Sequence, residues 1–173
     1  LLVSAIVALI VWRDSGRPVL FFQDRVGLGG RTFRMVKFRT MYVDHDNDKQ
    51  VWATKNDPRI TPVGRVLRAF RLDELPQLWN VVRGQMNIVG PRPEQPEIFQ
   101  ELRAGIPEYP RRQHVLPGIT GWAQVNNGYD QSFKDVQRKL GYDLEYLNRR
   151  SPGEDFKIMA KTIPVVLGRK GYH

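Results

Sequence analysis

The chain has 173 residues, enough for one domain with a real hydrophobic core. Lys and Arg number 27 against 18 Asp and Glu, and the net charge of +9 favours an anionic partner: nucleic acid, a phospholipid surface or a phosphorylated substrate. The absence of cysteine excludes disulfides, and no repeat or low-complexity run is present, although twelve prolines and fifteen glycines predict many turns.

Leu1 to Trp12 form an apolar run broken only by Ser4. As a helix such a run rises roughly 18 Å, short of a bilayer core of about 30 Å. That length suits a buried helix, an interfacial segment or part of a re-entrant one. Because the chain opens on Leu1 rather than Met, a longer span that begins upstream is also open. Arg13 to Pro18 read as a polar turn. Val19 to Gln23 and Thr32 to Phe38 are strand-like and joined by Gly27-Leu28-Gly29-Gly30, which predicts a hairpin. Alternation sends Lys37 and Arg39 to one sheet face and Phe38 into the core. A solvated strand edge and a substrate contact fit that pattern equally well.

Asp44 to Asn56 is polar and reads as a mobile loop. Thr61 then caps a helix with Pro62 at its first position, and Val63, Val66, Leu67 and Phe70 share an apolar face. In the following segment Leu72, Leu75, Leu78 and Val82 recur at helical spacing. Pro76 suits only a first turn, so a second helix is expected from near Asp73 to about Val82, with Gly84 ending it. Asp73 and Glu74 would lie at the positive end of that helix, in a field thickened by Arg68, Arg71, Arg83 and Arg92. A carboxylate so placed is expected to stay ionised, as a nucleophile or metal ligand must. A plain acidic first turn has the same local pattern.

Prolines break regular structure from Gly90 to Pro96 and again at Pro107, Pro110 and Pro117. Pro91 and Pro93 restrict the backbone around Arg92 and so aim its permanently charged guanidinium. Gly118, Thr120 and Gly121 make a loop whose backbone can approach a ligand closely, followed by the ring of Trp122 and the amide of Gln124. A packed turn around a core Trp accounts for the same residues. Ser132 with Asp135 resembles a capping box, opening a helix with Phe133, Val136, Leu140, Leu144 and Leu147 on one face and Arg149 and Arg150 at its end. A final helix from about Asp155 carries Phe156, Met159, Ile163, Val166 and Leu167 opposite Lys157 and Lys161, with a kink expected at Pro164. It suits an anionic membrane interface or plain packing on the core. His45, His114 and His173 are too scattered to form a metal set, and no hydroxyl has the partners of a serine hydrolase.

Five blocks, in order, are Lys37-Phe38-Arg39-Thr40-Met41, Asp57-Pro58-Arg59-Ile60-Thr61, Leu72-Asp73-Glu74-Leu75-Pro76-Gln77, Val89-Gly90-Pro91-Arg92-Pro93 and Pro117-Gly118-Ile119-Thr120-Gly121-Trp122-Ala123-Gln124-Val125. Together they resemble the bacterial sugar transferase family, the monotopic polyprenol-phosphate phosphoglycosyl transferases, from about Gly16 to Lys170. The resemblance implies transfer of a sugar-1-phosphate from a nucleotide sugar, with uridine the expected nucleotide, to a membrane polyprenol phosphate. Nucleoside monophosphate leaves, and the product opens cell-surface glycan synthesis. It implies Asp73 as the nucleophile that forms a covalent phosphosugar-aspartyl enzyme. It also implies Mg²⁺ held by Asp73 and Glu74, and phosphate contacts from Arg68 and Arg92. Lys37 and Arg39 join the substrate site by the same resemblance, with Lys37 the stronger candidate. The loop with Gly118, Thr120, Gly121 and Gln124 is placed near the nucleotide.

The implied fold is α+β, small and mostly helical, with a short β-hairpin, amphipathic membrane-surface helices and the returning limb of a re-entrant N-terminal helix. Residues 1–15 would associate with the membrane and 16–173 form the cytosolic catalytic domain, at the cytoplasmic face of a bacterial inner membrane. A homo-oligomer is compatible with this. Two other readings are a basic nucleic-acid-binding module and an inactive membrane-surface scaffold. The helix from Pro62 followed by the helix from Asp73 could mimic a helix-turn-helix. Nucleic acid is not the expected partner, because the would-be recognition helix opens on two carboxylates that phosphates repel.

Overall fold

The computed structural model describes residues 2–43, 57–126 and 133–168. The expected loop at 44–56 and the Ser132 cap lie outside them. The architecture is mixed α+β, with two small sheets of two strands each among the described residues. Helix α1 (Leu2–Ser15) buries only Val7 and Val11, which pack with Phe38 and Leu67. Its other large apolar side chains, from Leu2 to Trp12, stay exposed. Among the described residues no helix is long and apolar enough to cross a membrane.

The hairpin forms as expected. Strand β1 (Leu20–Val26) pairs antiparallel with β2 (Thr32–Phe38), and its ladder runs past Gln23 to the Val26–Thr32 pair. The connection is a 3₁₀ turn over Leu28–Gly30 in which Gly29 and Gly30 take φ of 61° and 81°, left-handed values that glycine adopts without strain. Helix α2 (Pro62–Ala69) also begins as read: Thr61 Oγ1 accepts from Gly64 N at 2.8 Å, with Pro62 at the first position. Thr61 N donates to Thr40 O at 3.0 Å, and a Cβ on Gly64 would sit 2.1 Å from that same oxygen. Only glycine lets α2 press this closely on the chain leaving β2. Leu67 is buried there, whereas Val66 faces outward, so the apolar face is narrower than its spacing implies.

The expected helix from Asp73 to Val82 divides in two. Leu72–Glu74 form a 3₁₀ turn, and α3 (Gln77–Val82) begins only after Pro76. The reason is local. Pro76 has no N–H for the Leu72 carbonyl, which instead accepts from Leu75 N at 3.3 Å in a tighter turn. The face of α3 is also reversed from expectation. Gln77 and Asn80 are buried, while Leu78, Trp79 and Val82, the last 78% exposed, point outward. Asn80 explains the reversal: its Oδ1 accepts from Val36 N at 3.2 Å and its Nδ2 donates to Arg34 O at 2.9 Å, pinning α3 to the open edge of β2. Gly84, at φ 69°, follows the helix end.

The proline-rich middle holds more regular structure than its composition suggests. Strands β3 (Asn87–Val89) and β4 (Gly118–Thr120) pair in parallel, and α4 (Pro96–Gly105) starts on the very proline expected to prevent order. Proline lacks only an N–H that a first helical position leaves unpaired. A 3₁₀ turn over Tyr109–His114 and α5 (Trp122–Asn126) follow. Gly90, Gly118 and Gly121 are packed backbone to backbone, since a Cβ on Gly118 would lie 2.1 Å from Gly90 N and one on Gly121 2.2 Å from Gly90 O.

Helix α6 (Phe133–Arg149) seats Val136, Leu140 and Leu144 against Phe99, Ile106 and Tyr109. Helix α7 (Pro152–Leu167) starts earlier than expected, because Ser151 Oγ accepts from Glu154 N at 3.2 Å and Pro152 takes the first position. It continues through Pro164 and buries Ile158 against Val89 and Tyr146, leaving Phe156, Ile163 and Leu167 exposed. Lys157 and Lys161, expected on a cationic face, lie over the ring of Trp122 at 5.2 and 4.4 Å.

Asn80→Ala should therefore lower stability by on the order of 2–4 kcal/mol, because it strands a buried N–H and a carbonyl on β2. A denaturant midpoint equal to that of the wild type would show that Asn80 does not hold α3 in place.

Candidate active site

Four segments converge on one place. Strand β2 contributes Lys37 near its end, α2 contributes Arg68, the 3₁₀ turn carries Asp73 and Glu74, and the loop after β3 brings Arg92. Arg71, between α2 and the turn, holds φ at 53°, a left-handed conformation uncommon for a side-chain-bearing residue. That reversal turns the dyad inward beneath α2.

The two carboxylates differ sharply. Glu74 Oε1 accepts from Arg92 Nη2 at 2.9 Å and lies 3.6 Å from Lys37 Nζ, while Arg71 Nη1 stands 3.9 Å from Oε2. Burial alone would raise the Glu74 carboxyl, but Arg92, Lys37 and Arg71 outweigh it and hold the group at about 2. Asp73, 8% exposed, makes no hydrogen bond or ion pair among the described residues. Burial pushes its carboxyl above the usual range, Glu74 pushes the same way, and the attraction of Lys37, Arg68 and Arg92 does not cancel them. Glu74 is thus the carboxyl tied into ion pairs, and Asp73 is the one whose oxygens are left open.

Lys37 is pulled down to about 8, by burial first and by Arg92 second. Arg92 is raised by its pairing with Glu74. Arg68 Nε donates to Thr40 Oγ1 at 3.0 Å and acts on the charge of Asp73.

The remaining sequence candidates make contacts of their own within the protein. Arg39 is buried, but its guanidinium donates to Ser15 Oγ at 2.9 Å and to Gly16 O at 3.0 Å, closing the C-terminal end of α1. The strand ends at Phe38, and the Arg39 side chain reaches the end of α1 while that of Lys37 reaches Glu74. Gly118 and Gly121 come close to Gly90, so the approach they permit is one of chain to chain. Thr120 Oγ1 shares a hydrogen with Thr162 Oγ1 at 2.8 Å, and Gln124 Nε2 donates to Ile119 O at 3.0 Å. Trp122 Nε1 donates to Glu145 Oε2 at 2.9 Å.

Sequence reasoning missed the groups that brace the Arg92 loop: Arg25, Glu94, Arg112 and Asp143. The signal available was chemical. A Pro-Arg-Pro-Glu loop exposes carbonyls that must find donors, but the sequence does not say where.

A divalent cation fits Asp73, whose oxygens are free. At Glu74 it would compete with Arg92 and Lys37 for Oε1 and with Arg71 for Oε2. Mg²⁺ ordinarily takes one or two carboxylates and completes its shell with water and substrate phosphate. Among the described residues no group of three or more acidic or histidine side chains could hold a metal unaided. The arrangement can neutralise a polyphosphate with Lys37, Arg68 and Arg92 while one carboxylate stands ready to react.

A small α+β domain here sets an acid with open oxygens beside fixed cations, an arrangement that suits an anionic ligand. The family model described as bacterial sugar transferase matches residues 1–169, and the chain belongs to that family. The chain is 46% identical over 167 residues to a protein of Xanthomonas campestris pv. campestris named UDP-glucose:undecaprenyl-phosphate glucose-1-phosphate transferase, covering 95% of this chain and 34% of that one. It is 42% identical over 160 residues to the UDP-N-acetylgalactosamine-undecaprenyl-phosphate N-acetylgalactosaminephosphotransferase of Aeromonas hydrophila, covering 92% of this chain and 38% of that one. A Caulobacter vibrioides UDP-glucose:undecaprenyl-phosphate glucose-1-phosphate transferase is 41% identical over 164 residues, covering 94% and 61% respectively. The chain thus spans between about a third and three fifths of the length of these relatives.

The Glu74 charge has a pH signature. A carboxyl held at about 2, below its ordinary 4.5, contributes stability that is complete above that ordinary value and fades as pH falls toward 2. Glu74→Gln should therefore be less stable than the wild type at neutral pH, and the two melting temperatures should converge on acidification. A gap that stays constant into strong acid would mean Glu74 is not held by its cations.

Proposed function

We propose that the chain carries the catalytic unit of a phosphoglycosyl transferase, which moves a sugar-1-phosphate from a uridine diphosphate sugar to a membrane polyprenol phosphate. The observation that carries this reading is the division of labour in the dyad: Glu74 anchors Arg92, Lys37 and Arg71, and Asp73 lies beside the same cations with its oxygens free. Family membership and the names of the relatives support the substrate classes.

In the first step an Asp73 oxygen attacks the sugar-linked phosphorus. A P–O bond to that carboxylate forms and the bridging P–O bond breaks, so nucleoside monophosphate leaves with the bridging oxygen. In the second, an oxygen of the polyprenol phosphate attacks the same phosphorus and returns Asp73 as carboxylate. Neither step needs water or an oxidant. Lys37, Arg68 and Arg92 neutralise the diphosphate, without which an anionic nucleophile would be repelled. Mg²⁺, when bound at Asp73 with Glu74 as the second candidate ligand, would favour the ionised carboxylate and draw charge from the diphosphate. Arg92 fits its role best, since it remains charged at any working pH and presents a planar fork.

The outward apolar faces support a membrane setting. Bare side chains on α1, Leu78, Trp79 and Val82 on α3, and Phe156, Ile163 and Leu167 on α7 leave much apolar surface for an interface. The acceptor lipid lives there, and nucleotide sugars place the reaction on the cytoplasmic side of a bacterial inner membrane.

Asp73→Asn should abolish turnover and the covalent adduct, read as an added sugar-phosphate mass on intact protein given nucleotide sugar and Mg²⁺. Chelating the metal should prevent adduct formation by the wild type. An adduct on the Asn variant would assign the nucleophile elsewhere. A second outcome concerns pH. Because Lys37 loses its proton near 8, kcat/KM should decline above that value. Lys37→Arg should carry activity to higher pH, and an identical alkaline limb in both proteins would release Lys37 from substrate binding.

A further inference from the structure

The loop that carries Arg92 is held at each of four consecutive carbonyls. Pro91 O accepts from Gly118 N at 3.0 Å, Arg92 O from Arg112 Nη2 at 2.8 Å, Pro93 O from Arg25 Nη1 at 3.0 Å and Glu94 O from Val26 N at 2.9 Å. Two of these donors are backbone groups and two are arginine side chains. Arg112 is the more deeply placed of the two, only 5% exposed and set in the 3₁₀ turn over Tyr109–His114.

Arg112 is itself fixed from several sides. Its Nη1 donates to Tyr109 Oη at 2.6 Å and reaches Glu94 Oε1 at 3.4 Å, and its Nη2 lies 2.7 Å from Asp143 Oδ2 on α6. The last contact is an ion pair poorly aligned as a hydrogen bond, since Nη2 serves the Arg92 carbonyl. Lys139, also on α6, stands 3.4 Å from Glu94 Oε1. An arginine costs much to bury, and this one makes no contact with Asp73 or Glu74 among the described residues. Its fork spans the backbone of one site residue and an acid of a distant helix.

We propose that Arg112, locked by Asp143, is a positioning residue: it fixes the backbone of Arg92 so that the Arg92 guanidinium meets an incoming phosphate without reorganisation. Arg112 does not touch the anion. This rests on the proposed role of Arg92 in phosphate binding, and not on the identity of the sugar or the acceptor. It also gives α6 a mechanical link to the site that neither helix spacing nor motif order discloses.

The test is a double-mutant cycle read by calorimetric titration of the full chain with inorganic pyrophosphate. Arg112→Lys keeps the charge but cannot span both partners, and should weaken binding by about ten-fold to a hundred-fold, the usual effect of misplacing a site group by an ångström. Arg92→Ala should weaken it as much or more. The Arg112→Lys/Arg92→Ala protein should bind no worse than Arg92→Ala alone, because Arg112 acts only through Arg92. Should Arg112→Lys fail to fold by circular dichroism, Asp143→Asn, which keeps the shape and removes the countercharge, takes its place in the cycle. Losses that multiply, or full affinity in the positioning variant, overturn the proposal. So does a wild-type chain that binds no pyrophosphate, since the anion site would then be missing. Pyrophosphate binding with no sugar-phosphate transfer by the wild type would sink the transferase reading and leave this one standing.

Discussion

Everything at the centre of this protein depends on how fixed cations are divided between two adjacent buried carboxyls. Two adjacent carboxyls in a site from which water is largely removed repel each other and compete for the cations within reach. Arg92, Lys37 and Arg71 converge on Glu74, and Asp73 is left close to the same positive wall without belonging to it. The result is one carboxyl tied into ion pairs and one whose oxygens stay open. A group already tied into ion pairs would have to break them before reacting.

The wall has to be rigid for that division to hold, and the prolines are how the loop becomes so. Pro91 and Pro93 fix their own φ and offer no N–H, so the loop has few donors of its own and its carbonyls are met from outside it. Those carbonyls are met by Gly118, Arg112, Arg25 and Val26 from elsewhere in the chain. The glycine crossing of Gly90 with Gly118 and Gly121 brings β4 near enough for this. Residues that look like a ligand-binding glycine loop are in this way part of the frame behind Arg92.

The outside of the molecule follows a different rule from its core. On α3 the polar Asn80 is buried because β2 has an open edge whose N–H and C=O need partners, and that choice rotates Leu78, Trp79 and Val82 outward. On α7 Ile158 is buried and Thr162 half-buried, while Phe156, Ile163 and Leu167 of the apolar stripe are exposed and Met159 packs on the core. Apolar periodicity marks a face that wants to leave water. It does not say whether a protein core or a lipid interface receives it.

Local chemistry was legible from residues alone wherever neighbours in the chain decide it: the hairpin about Gly29 and Gly30, the Thr61-Pro62 start of α2 and the buried face of α6; the family resemblance grouped Lys37, Arg68, Asp73, Glu74 and Arg92, which the structure brings into one cluster. The order of the motifs also sufficed to indicate the family. Folding in three dimensions decided the rest. Which acid the cations pair with, how Arg39 reaches the end of α1, and how Arg112 joins the Arg92 carbonyl to Asp143 all turn on contacts between residues remote in the chain. Burial and electrostatic pairing depend on distance in space, and a linear string of residues does not contain those distances.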